Sequence, residues 1–275
     1  MIKPDDLYNE LTNQDLFFLI SGPCVVESEK LMMDTAEFLK KTTDKLGIKL
    51  IFKSSYEKSN RTNYHSFSGP GMKKGLKILQ KIKETYNLPI LTDVHETVEV
   101  EEVAQVADII QIPAFLSRQT WLISAAAKTN KIVNIKKGQF LSPEDMWQQA
   151  EKVTVNDNYK VMLTERGSTF GYHNLVVDFR SFALMKKLNF PVVYDVTHSM
   201  QRPSISRTTG GTPEFAPMLA QAAIATGMVD GLFIETHPEP MEALSDATTQ
   251  LELSLLPEVL ERCIRIKKAI QNNII

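Results

Sequence analysis

The chain has 275 residues, with 31 Lys and Arg against 33 Asp and Glu, a formal net charge of −2, 43% apolar and 23% charged residues. This is an ordinary globular composition with ample core material, and it gives no global reason to expect a nucleic-acid or membrane partner. Two cysteines, Cys24 and Cys263, rule out a disulfide framework and fit a reducing cytoplasm, and no run of about 18 apolar residues offers a membrane span.

In chain order, "MIKPDDLYNELTNQDLFFLI" carries acids and amides where a signal peptide needs a basic start, so residues 1–16 are expected to be a short N-terminal extension. The first predicted strand is "FFLIS" (17–21). The helix "EKLMMDTAEFLKKTTDKLG" follows, with apolar residues at helical spacing up to a C-capping Gly47. Next come the strands "KLIFKSS" (49–55), "PILTDV" (89–94), "DIIQIP" (108–113) and "IVNIKK" (132–137), with helical stretches between them. "SPEDMWQQAEKV" opens on Ser142 and Pro143, an N-cap and first-turn pair. "KVMLTE" (160–165), "PVVYDVT" (191–197) and "GLFIET" (231–236) bring the strands to eight, with long loops at 198–215 and 236–250. The last helix, "LPEVLERCIRIKKAI", places Cys263 among apolar residues as a core position. Trp121, Trp147 and most Phe and Met residues fall at helical or strand spacing and are expected to pack. Eight strand–helix units predict an α/β fold with a parallel sheet, closed into a single-domain (β/α)8 TIM barrel over 17–275. The rival is a doubly wound sheet, weakened because no G-x-G-x-x-G follows the first strand.

Polar residues gather at one end of the strands. Cys24 lies just past the first, Lys53 on the second, Asp93 and His95 at the third, and Gln111 on the fourth. Lys136 is on the fifth, Arg166 after the sixth, His198 after the seventh and Glu235 on the eighth. In a barrel these groups converge on the C-terminal mouth, where active sites of the fold lie. Lys53, Lys58, Arg61, Lys136 and Arg166, with Arg118 after the fourth strand, form a cationic side suited to small phosphate or carboxylate anions. A strand-end lysine also leaves Schiff-base aldolase chemistry open. Cys24, His198, Glu235 and Asp246 are metal-ligand types, a mixed set suited to a divalent first-row ion. Taken singly, each of these residues could equally be a solvated loop group.

The segments "SGPCVVES", "FKSSYEKSNRTNYHSFSGPG", "TDVHE", "IIQIPAFLSRQT", "VNIKKGQF", "TERGSTFGYHNLVVDFR", "YDVTHSMQ" and "FIETHPEP…SDATTQL" resemble, in order, the 3-deoxy-D-manno-octulosonate 8-phosphate synthase family. The resemblance implies a homotetrameric barrel that condenses phosphoenolpyruvate with D-arabinose 5-phosphate and water, on the route to lipopolysaccharide. The sister enzymes, which make 3-deoxy-D-arabino-heptulosonate 7-phosphate from erythrose 4-phosphate, typically carry Lys-Pro-Arg-Thr-Ser after the second strand. Lys58-Ser59-Asn60-Arg61-Thr62 is similar instead to the Lys-Ala-Asn-Arg-Ser of the octulosonate enzymes. A non-catalytic sugar-phosphate-binding barrel would keep the cations but has no reason to keep the metal set.

By position, the resemblance puts Lys53, Ser55 and Lys58 at the phosphoenolpyruvate carboxylate and Lys136 and Arg166 on its phosphate. Ala114 would add a backbone N–H, and Gln111 and Gln139 would line the pocket. Asn60 and Asp93 would engage the sugar hydroxyls and Arg61 and Thr62 its phosphate, with Arg118 reaching in from a neighbouring subunit. Cys24, His198, Glu235 and Asp246 match the ligands of the metal-dependent branch, for Fe2+, Mn2+, Zn2+ or Co2+. Lys53, Lys58, Asp93, Lys136, Arg166 and His198 are the expected catalytic set. Two segments depart from the family pattern: Thr209-Gly210-Gly211-Thr212-Pro213, where Ser-Gly-Gly with a nearby arginine is common, and Thr62-Asn63, where serines are usual.

Overall fold

The short β-branched runs form eight parallel strands, each buried along its whole length as a strand covered on both faces must be. They are β1 (Phe18–Gly22), β2 (Leu50–Lys53), β3 (Ile90–Asp93), β4 (Ile109–Ile112), β5 (Ile132–Lys136), β6 (Val161–Glu165), β7 (Val192–Asp195) and β8 (Gly231–His237). Each pairs with the next in chain order, and β8 returns to β1 with Phe18 opposite Gly231 and Gly22 opposite Glu235. The closed (β/α)8 barrel expected from the sequence is therefore present, in a computed structural model that describes residues 2–60, 64–203 and 210–272.

Helix α1 (Pro4–Thr12) precedes the barrel, α2 (Glu29–Leu46), α3 (Met72–Tyr86), α4 (Val100–Val106), α5 (Thr120–Lys128), α6 (Met146–Thr154), α7 (Arg180–Lys186) and α8 (Ala216–Ala225) fill its crossovers, and α9 (Leu256–Gln271) follows its last strand. The local chemistry of α2 is as read: the Ser28 hydroxyl accepts from the Leu31 N–H, and Gly47 takes φ 67°, the left-handed C-cap. At α6 the regular helix starts later than Ser142. Ser142 and Asp145 exchange backbone-to-side-chain bonds of 3.1 and 3.3 Å, and the intervening turn closes through tighter i→i+3 bonds.

Alternation along the strands sorts their side chains into two layers. Phe18, Ile20, Ile51, Leu91, Ile109, Ile132, Met162, Val193 and Phe233 point inward and form one apolar cluster with Leu7 and Leu11 of α1. Residues between them, such as Leu19, Phe52, Ile110, Val133, Leu163 and Tyr194, pack outward against the helices. Helix α1 thus closes the N-terminal end of the barrel, and the Tyr8 hydroxyl donates to the Val161 carbonyl at 3.0 Å. Two residues further along, the inward face turns polar on seven of the eight strands, at Lys53, Asp93, Gln111, Asn134, Thr164, Asp195 and Glu235, all buried, while β1 ends on Gly22. The strand ends carry chemistry because the barrel interior changes character there.

Two features depart from the sequence reading. An antiparallel hairpin, Ser168–Gly171 with Asn174–Val176, follows β6, and Gln201–Arg202 pairs with Gly210–Gly211 in the loop after β7. Trp121 and Trp147, expected to pack, are 80% and 49% exposed, and Phe115 and Phe140, in the same segments after β4 and β5, are 59% and 58% exposed. Their spacing defines a helix face, but among the described residues of one chain nothing covers it. Cys263 is buried as expected, and burial pushes its thiol up to about 12. Among the described residues no helix is long and apolar enough to cross a membrane.

Candidate active site

The mouth of the barrel opens into a cavity of about 420 Å³ lined by Lys58, Asn60, Asp93, Gln111, Ala114, Lys136, Gln139, Arg166, His198, Asp246 and others. Lys53, Ser55, Cys24 and Glu235 lie buried just beneath it. Asn60 is at the exposed rim. Arg118 is exposed and outside this chain's own cavity, while Arg61 and Thr62 fall outside the described residues.

Cys24 follows β1 by way of Gly22, where a side chain is impossible: a Cβ would sit 2.1 Å from the Lys53 carbonyl oxygen. The Cys24 N–H donates to Gln250 Oε1 at 3.1 Å, and Gln250 Nε2 donates to the Ser245 carbonyl at 2.8 Å. This staple brings the loop after β8 over the thiol, with Cys24 Sγ 3.2 Å from Ser245 Oγ and 3.4 Å from Asp246 Oδ2. Asp246 itself takes φ 50°, and its carbonyl accepts from the N–H groups of Thr249 and Gln250. His198 sits in the helical turn Val196–Ser199 after β7, where the Asp195 side chain caps the turn by accepting from the His198 N–H at 3.0 Å.

Cys24, Glu235 and Asp246 each bring a ligand atom within 4.8 Å of the other two. His198 Nε2 is 3.5 Å from Glu235 Oε2 and 3.7 Å from Asp246 Oδ2. Glu235 Oε2 is buried without a hydrogen-bond partner among the described residues. Burial, then Asp246 and Glu235, push the Cys24 thiol well above its ordinary range. A divalent cation would reverse that bias by favouring the thiolate, and it would satisfy the orphaned carboxylate oxygen. The donor set fits such an ion.

The cations are laid against carboxylates. Lys53 Nζ donates to Glu235 Oε1 and to the Cys24 carbonyl, Lys58 lies 3.9 Å from Asp93, and Lys136 donates to Asp195 at 2.6 Å. The Phe233 ring lies under the Lys136 ammonium at 3.9 Å. Burial opposes the charge of Asp93, but Lys58, His95 and Lys53 hold its carboxyl well below the usual range. Burial likewise opposes the Glu235 charge, and His198, Lys53 and Lys58 bring its pKa down to about 2. Arg166 differs from the lysines: its Nη2 donates to the neutral Gln201 amide at 2.6 Å, and Nη1 is buried with no partner among the described residues. Gln139 Oε1 is similarly orphaned, whereas Gln111 accepts from Asn134 at 3.1 Å. A buried guanidinium with an unsatisfied fork, in a cavity that Lys136 also lines, suits a phosphate or carboxylate group.

Asp195 is the functional residue the sequence reading missed. It accepts from Lys136 and from His198 Nδ1, the latter at 2.9 Å, so one buried carboxylate orients both a cavity cation and a ligand-type imidazole. The signal was available: Asp195 is the inward residue after Val193, in the position Glu235 holds after Phe233. His95 hydrogen-bonds the Glu57 carbonyl through Nε2 at 3.0 Å and lies 3.9 Å from Asp93, supporting the site from its edge.

Residues 9–272 match the DAHP synthetase I family. A 2-dehydro-3-deoxyphosphooctonate aldolase from Fusobacterium nucleatum is 52% identical over 256 residues, covering 93% of this chain and 92% of that protein. 2-Dehydro-3-deoxyphosphooctonate aldolase 1 of Arabidopsis thaliana is 50% identical over 268 residues (95% and 92%), and the aldolase of Koribacter versatilis 47% over 274 residues (98% of each). With a closed barrel, a cationic mouth and this match along nearly its whole length, the chain belongs to the DAHP synthetase I family, alongside its 2-dehydro-3-deoxyphosphooctonate aldolases.

Proposed function

We propose that the chain condenses phosphoenolpyruvate with D-arabinose 5-phosphate and water, giving 3-deoxy-D-manno-octulosonate 8-phosphate and inorganic phosphate for lipopolysaccharide synthesis. The observation that carries this reading is the buried Arg166 guanidinium, whose Nη1 has no partner among the described residues, in a mouth that Lys136 also lines. It suits the phosphate of phosphoenolpyruvate, with Gln139, Gln111 and Ala114 around the body of the substrate and Lys53, Ser55 and Lys58 toward its carboxylate. Asp93 and the rim residue Asn60 suit the sugar hydroxyls. Carbon–carbon bond formation joins the enol carbon to the sugar aldehyde and leaves C2 electron-poor. Water adds at C2, and phosphate departs by C–O cleavage. No lysine imine is needed, so the lysines serve as electrostatic clamps.

Lys53, Lys58, Lys136 and Arg166 are balanced one for one by Asp93, Asp195, Glu235 and Asp246, so these side chains sum to no net charge. Joining two phosphorylated anions calls for more positive charge than that. A divalent ion held by Cys24, His198, Glu235 and Asp246 would supply it, and would polarise or orient water or the aldehyde. The expected assembly is a homotetramer in the cytoplasm.

Phosphate release from phosphoenolpyruvate, measured with arabinose 5-phosphate and separately with erythrose 4-phosphate, tests the reading. Release should require the five-carbon sugar and should fail after exhaustive chelation, returning with a first-row divalent ion. Equal or faster release with erythrose 4-phosphate would overturn the acceptor assignment, and full turnover after chelation would overturn the metal.

A further inference from the structure

Lys137 and Glu165 are almost wholly buried, at 0% and 1% exposure, and neither lines the cavity. Each is the chain neighbour of a cavity cation: Lys137 follows Lys136 at the end of β5, and Glu165 precedes Arg166 at the end of β6. Strand neighbours point to opposite sides. Lys136 and Arg166 therefore face the cavity, while Lys137 and Glu165 turn outward on the side of Ile135 and Leu163, in the layer between strands and helices. There the Lys137 ammonium lies 3.5 Å from the Glu165 carboxylate.

The remaining bonds of the pair go to the segments that carry cavity residues. Lys137 Nζ donates to Ser168 Oγ at 2.9 Å and to the carbonyls of Leu141 and Gly138 at 3.2 and 3.4 Å, closing the turn that presents Gln139. Glu165 Oε1 accepts from the backbone N–H groups of Arg166 and Gly167 at 2.9 and 2.6 Å. Between the two segments, the Lys137 N–H donates to the Thr164 carbonyl and the Thr169 N–H to the Gln139 carbonyl. β5 and β6 are paired neighbours in the barrel, so the attraction between Lys137 and Glu165 acts across their seam and ties together the two segments that carry Lys136 and Arg166.

We propose that the Lys137–Glu165 ion pair is a positioning brace, which holds Lys136, Gln139 and Arg166 at the separation a phosphate group requires. The proposal rests on the assignment of Lys136 and Arg166 to the phosphoenolpyruvate phosphate. Neither brace residue touches substrate, so its loss is felt in phosphoenolpyruvate affinity and not in sugar affinity.

The test compares wild type with Lys137→Met, Lys137→Arg, Glu165→Gln and Arg166→Ala, by KM for each substrate and by thermal midpoint. Lys137→Met and Glu165→Gln should raise the phosphoenolpyruvate KM about tenfold or more, since small displacements of positioning groups cost that much, with the arabinose 5-phosphate KM within about twofold. Lys137→Arg, which keeps charge and donors, should recover most of the loss. If Lys137→Met does not fold, the isosteric Glu165→Gln decides alone. An unchanged phosphoenolpyruvate KM, or both KM values rising together without rescue by arginine, reduces the pair to a structural role and overturns the brace. An Arg166→Ala protein with unchanged phosphoenolpyruvate KM would instead overturn the phosphate assignment, and the brace with it.

Discussion

Asp195 concentrates several functions in one carboxylate. It is completely buried, caps the turn that presents His198, and accepts from both Lys136 and His198. Its own pKa shows the balance: burial opposes the charge, but His198 and Lys136 hold it far below the usual carboxylate range. Replacing it by asparagine keeps the shape and removes the charge, leaving the Lys136 ammonium buried without a counter-ion. Asp195→Asn should lose about 3–5 kcal/mol of stability in urea unfolding, the usual cost of breaking a buried pair. It should also weaken divalent-metal affinity by about 10–100-fold in a chelator competition, as loss of a residue that orients a ligand does. Unchanged metal affinity in a folded variant would separate Asp195 from the metal set. The residues legible in the sequence were those whose type announces chemistry at a strand end, such as Cys24, Arg166 and His198. Lys137 and Glu165 were not legible, because the sequence does not tell which of two adjacent charges turns inward or which buried partner it meets.

Among the elements, the N-terminal helix was read as an extension, and in the fold it is a plug. Leu7 and Leu11, one helical turn apart, enter the same apolar cluster as Phe18 and Phe233. The i, i+4 spacing was visible in "DLYNELT", but what it would pack against belongs to the tertiary structure. Leu11→Ala should cost about 2–5 kcal/mol in urea unfolding, the range for emptying a fully buried leucine site. Tyr8 adds a pH dependence of known sign. Burial chiefly raises its phenol to about 12, above the ordinary value near 10, so the fold favours the neutral form. That contribution is complete below about pH 10 and is lost as the pH climbs toward 12. Thermal midpoints measured at pH 9 and 11 should fall more for wild type than for Tyr8→Phe. An identical fall would show that Tyr8 titrates equally in both states. The eight strands, by contrast, were legible almost to their ends, because β-branched runs buried on both faces have few alternatives.

For the whole molecule, we propose that a second copy of the chain covers the exposed aromatics after β4 and β5. Phe115 and Trp121 flank Arg118, itself exposed and outside its own cavity, and Phe140 and Trp147 occupy the adjacent unit. A second copy that buries these rings would receive Arg118 in the same event, which joins assembly to sugar-phosphate binding. Trp121→Lys should shift sedimentation toward smaller species and raise the arabinose 5-phosphate KM, with little effect on phosphoenolpyruvate. A variant that stays assembled with both constants unchanged would remove this face from the interface. The sequence reading put Trp121 and Trp147 at helical or strand spacing and expected them to pack; spacing alone does not tell whether such a face meets the rest of its own chain.

The sealed floor beneath Phe233 has a kinetic meaning. With Leu7 and Leu11 filling the far end, the described residues form a cul-de-sac that opens at the C-terminal mouth. A small anion on the buried Arg166 would lie deeper than a group at the rim beside Asn60, so the expected order of binding is anion first and sugar second. Depth inside the barrel thereby becomes order in time.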